Sequence, residues 1–127
     1  MMEGGKLLIL EPLSFTRQLE MVFRELKEEL ASLASGTIFL QIRNNLIGKF
    51  GVKHDPIKSK GDSFKNEETG LSEMHLQALH RIGMLSLQKK KWTHGEIQLE
   101  FAVKGNSLNT SILSESNYNM NHLHTDK

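Results

Sequence analysis

Residues 93–114 read THGEIQLEFAVKGNSLNTSILS. From Glu96 to Val103 the side chains alternate: Ile97, Leu99, Phe101 and Val103 fall on one side, Glu96, Gln98 and Glu100 on the other. A period of two describes a strand with one face buried and one face wet. Gly105-Asn106 then supplies a turn, because tight hairpins need positive φ and glycine enters it cheaply. Leu108, Thr110 and Ile112 carry the alternation back. The stretch predicts an antiparallel hairpin whose apolar face must be covered by another layer.

That layer is legible just upstream. After Ser72, a candidate N-cap, Met74, Ala78, Leu79, Ile82 and Leu85 recur at helical spacing, with Leu76, Met84 and Leu87 widening the face. Lys89, Lys90 and Lys91 close the helix, where cations complement its dipole. Gly83 interrupts it at a cost of about 0.5–1 kcal/mol relative to alanine; such a glycine can admit a close neighbour.

The same order occurs in the first half. Ser14 can cap a helix whose apolar face is Phe15, Leu19, Val22, Phe23, Leu26, Leu30 and Leu33. Gly36 is placed to end it in a left-handed C-cap. Ile38, Leu40 and Ile42 then alternate with polar residues, Asn44-Asn45 suits a hairpin turn, and Leu46, Gly48, Phe50 and Val52 return. A shift of 59 positions lays Phe15 on Met74, Leu33 on Trp92, Gly36 on Gly95 and Leu40 on Leu99 without a gap, the pattern of an internal repeat. The fold class expected is α+β: two helix-plus-β-hairpin units forming one antiparallel sheet with both helices on one face. Its core is to comprise Phe15, Leu19, Phe23, Leu26, Ile38, Leu40 and Ile42, with Ile82, Leu85, Ile97, Leu99 and Phe101.

Residues 1–127 are read as a single domain. Its halves are 13–52 and 71–114, joined by a mobile connection over 53–70 that has no apolar period and holds Pro56, Gly61 and Gly70. A polar, asparagine-rich tail follows over 115–127, and Lys6 to Leu10 is read as a short strand stopped by Pro12. With no cysteine, a disulfide framework, a thiolate nucleophile and thiolate metal sites are excluded. A net charge of +1 gives no global field to draw in nucleic acid or an anionic membrane. No apolar run is long enough to span a bilayer, and no basic region followed by an apolar stretch opens the chain. A cytoplasmic location is expected.

Few residues suggest chemistry. Gly61-Asp62-Ser63 resembles the start of a serine-hydrolase motif, but it lies in the connection rather than on a rigid strand-to-helix turn. His75 and His80 are five apart, so they do not share a helical face as metal ligands would; His122 and His124 sit in the tail. Glu96 and Glu100 belong to the wet face of their strand. No catalytic residue, cofactor or metal is assigned.

Lys89, Lys90, Lys91 and Trp92 form the densest basic run and carry an aromatic, a combination that can grip phosphates and stack on a base. Lys53, Lys58, Lys60 and Lys65 add charge in the connection, offset by Asp55, Asp62, Glu67 and Glu68. The leading expectation is a non-enzymatic interaction or regulatory protein with a protein partner, working as a homodimer. Phe39, Gly83, Tyr118, Met120 and Leu123 are its candidate interface residues. A nucleic-acid-binding module using Lys89 to Trp92 and the lysines of the connection is the alternative, and a small enzyme with a site built across a dimer interface is the third reading.

Overall fold

The structure is a computed structural model that describes residues 14–56, 59–60, 63–64 and 70–120. Helix α1 spans Phe15–Ala31 and leads into a hairpin of β1 (Ser35–Arg43) and β2 (Leu46–His54). Two-residue strands β3 (Ser59–Lys60) and β4 (Ser63–Phe64) pair with each other within the connection. Helix α2 (Glu73–Gln88) then leads into a second hairpin of β5 (His94–Lys104) and β6 (Ser107–Ser116). The four long strands form one antiparallel sheet in the order β2-β1-β5-β6. The fold is the α+β arrangement expected, with the first strand of each hairpin at the centre and each return strand at an edge.

Local chemistry accounts for the element ends. The Ser14 hydroxyl accepts the Arg17 N–H at 3.2 Å. Ser72 caps α2 through a capping box: its hydroxyl accepts the His75 N–H, and its own N–H donates to His75 Nδ1. Asn44 and Asn45 take positive φ (56° and 64°), as a two-residue hairpin requires. At the second turn only Gly105 does, with φ 62°.

One end differs from expectation. Gly36 is not a left-handed cap. Helix α1 closes at Ser32, whose N–H bonds to Glu29 and Leu30 carbonyls, with φ −102°. Gly36 is already inside β1, opposite His54 and Phe101. The chain turns straight into the strand, so no αL residue is needed there.

The core lies between the helices and one sheet face. Ile38, Leu40, Ile42, Ile97, Leu99 and Phe101 point into it from the central strands, and Leu19, Val22, Phe23, Leu26 and Leu30 descend from α1. Helix α2 contributes Leu76, Leu79 and Leu87. Phe15 and Ile82, expected in the core, pack at its margin.

Leu85, expected in the core, is instead 61% exposed. Relative to Gly83, where an added Cβ would stand 3.1 Å from Leu19 and 3.5 Å from Leu99, it is turned by about 200° around the helix. The sheet and α1 cover the Gly83 side of α2 and leave the Leu85 side bare. The breadth of apolar residues on α2 therefore exceeds what the core uses.

Candidate interaction surface

The sheet has two edges, and their chemistry differs. Edge strand β2 carries Lys49 and Lys53, and its pairing with β1 slips between Leu40 and Ile42, where Ile42 faces Ile47 rather than the next residue in register. A bulge and lysines are devices that keep an edge from pairing with another chain. Edge strand β6 has neither. It pairs with β5 in unbroken register from Lys104–Ser107 to Gly95–Ser116, has no proline, and bears one charge, Glu115.

The free side of β6 can be assigned. The Asn117 N–H donates to the His94 carbonyl, continuing the ladder. Along an antiparallel strand the backbone groups turn alternately toward and away from a given neighbour. Odd-numbered residues of β6 therefore face β5, and Leu108, Thr110, Ile112 and Ser114 direct their N–H and C=O groups out of the sheet.

Helix α2 runs beside this strand. At one end His75 Nε2 lies 3.2 Å from the Asn106 carbonyl, and at the other Lys90 Nζ donates to Ser116 Oγ. His75, Ala78, Ile82 and Leu85 recur at steps of three and four on the flank away from α1. The other flank meets α1, where the His80 ring stands edge-on to Phe23 with centroids 5.3 Å apart. The helix does not reach over the edge strand: Ile112 is 45% exposed, and Leu113 on the opposite sheet face is 51% exposed.

The expected interface residues are scattered. Phe39 is half-buried with its ring across Gly51, where an added Cβ would stand 2.9 Å from the ring, and Lys53 Nζ is 5.8 Å from its centroid. The chain itself thus covers much of Phe39. Gly83 is buried beneath Leu19 and offers no surface. Tyr118 and Met120 are exposed and border an open cleft of about 820 Å3 at the end of the sheet, beside Arg43, Lys49 and His94. Leu123, like His122, His124, Lys58, Lys65, Gly61, Asp62 and the strand expected at Lys6 to Leu10, lies outside the described residues.

Of the basic run, Lys89, Lys90 and Lys91 are exposed but Trp92 is buried, and its indole N–H donates to the Ser86 carbonyl at 3.2 Å. Lys90 Nζ sits 4.5 Å from the Trp92 ring centroid. The aromatic needed for base stacking is occupied inside the core.

Among the described residues, no histidine ring is hydrogen-bonded to a hydroxyl: His54 pairs with Glu29, and His75 bonds backbone groups. Glu96 accepts from Gln41 and Gln98 side chains on the outer sheet face. No group of three or more metal-ligating side chains occurs among them, and no helix among them is long and apolar enough to cross a membrane. The sequence already marks Leu108 to Ser114 as a strand without charge or proline, an edge open to pairing; the bulge that sets β2 apart from it is visible only in the strand register. No family model, curated protein or solved structure matches the chain.

Proposed function

We propose that this is a non-enzymatic interaction or regulatory protein of the cytoplasm that works as a homodimer. The observation that carries the reading is the asymmetry of the sheet: β2 is bulged and lysine-bearing, β6 is regular and nearly uncharged. An unguarded edge is a template for strand pairing. With one unguarded edge among the described strands of each chain, association closes at two copies, the commonest assembly of soluble proteins. The lack of cysteine is in keeping with a reducing compartment.

Sedimentation equilibrium at micromolar concentration tests the reading. The expected mass is twice that of the 14.4 kDa chain. A mass of one chain across the accessible range refutes the dimer.

A further inference from the structure

We infer that two copies join β6 to β6 antiparallel about a two-fold axis at Ile112, merging two four-stranded sheets into one. The inference rests on the dimer reading above and adds its surface and register.

The outward backbone groups of Leu108, Thr110, Ile112 and Ser114 are a row of donors and acceptors awaiting a strand. Pairing must bring even-numbered residues opposite even-numbered ones, because only these face the free edge. With the axis at Ile112, that residue meets its own copy, Thr110 meets Ser114, and Leu108 meets Ser116. On the other face Leu113 meets Ser111 and Glu115 meets Asn109. The single charged residue of the strand thus meets a neutral amide rather than its own copy. The two Ile112 side chains meet on the helix side of the sheet, the side on which their partner Leu99 is buried. Moving the axis to Ser111 sets Ile112 against Thr110 and gives up the apolar pair. In this register the apolar Ile112 meets its own copy and the one charge avoids its own copy.

Because the chain has no cysteine, a single introduced one reports the register. Directly opposed residues in a hydrogen-bonded antiparallel pair have Cα atoms about 5.5 Å apart, within disulfide reach. Under mild oxidation at micromolar concentration, Ile112→Cys should convert mostly to a cross-linked dimer, and Ser107→Cys and Leu46→Cys should cross-link at least about tenfold less. Because cysteine removes apolar bulk, Ile112→Lys gives a second measure: it should sediment as a monomer with an unchanged far-ultraviolet dichroism spectrum. Cross-linking at Ser111→Cys but not Ile112→Cys overturns the register. A wild-type dimer that survives Ile112→Lys overturns the surface but leaves the dimer reading standing. A wild-type monomer in sedimentation sinks both.

Discussion

The side-chain oxygen of Gln18, on α1, accepts the backbone N–H of Ile47 at 2.6 Å, and its amide donates to the Asn45 carbonyl at 3.4 Å. Gln18 is a buried polar residue among the apolar positions of its helix. It meets β2 where the strand pairing slips, so the side chain satisfies a backbone group at the irregularity. Helix, hairpin turn and bulge are thereby tied together at one point.

Gln18→Leu should therefore destabilise the protein by about 1–3 kcal/mol, the cost of leaving a partly buried backbone donor without a partner. In urea titration the midpoint should fall with little change in slope. A midpoint within error of wild type would show that the Ile47 N–H finds another acceptor.

Leu99 and Leu85 bring opposite expectations from similar sequence patterns. Leu99 is fully buried, and Leu99→Ala should cost about 2–5 kcal/mol. Leu85→Ala, measured at a protein concentration low enough to keep chains apart, should change stability by less than about 0.5 kcal/mol. Equal losses would place Leu85 in the core after all.

Two glycines separate crowding from backbone conformation. A Cβ on Gly95 would lie 2.3 Å from the Glu115 carbonyl oxygen and 2.8 Å from the Trp92 ring, so Gly95→Ala should cost about 1–3 kcal/mol or more. Gly105 has open space around it but a φ of 62°, and Gly105→Ala should cost about 1–2 kcal/mol from the left-handed backbone alone. Thermal denaturation should rank Gly95→Ala as the less stable variant, and the reverse order would contradict the packing of Trp92 against β5.

Trp92 is the sole tryptophan and is buried, so its fluorescence reports native packing. Emission should be blue-shifted relative to the denatured chain and unchanged by single-stranded oligonucleotides at low salt. Quenching that disappears as salt rises would revive the nucleic-acid reading, since phosphate contacts release counterions.

What the sequence determined by itself was local. Ser14 and Ser72 announce helix starts, Asn44-Asn45 and Gly105-Asn106 announce turns, and the alternation at Ile38–Ile42 and Ile97–Phe101 marks the buried sides of two strands. Each is set by a few neighbouring residues, so each is visible in a short window of chain. The tertiary structure decided which strands became neighbours. It paired Phe39 with Gln98 at the centre of the sheet and left β2 and β6 as edges, a choice between distant segments that alternation does not encode. That choice turned Gln18 into a buried clamp and left Leu85 on α2 and Ile112 on the edge strand exposed. A period says which side of an element is apolar; only the packing says whether anything is there to cover it.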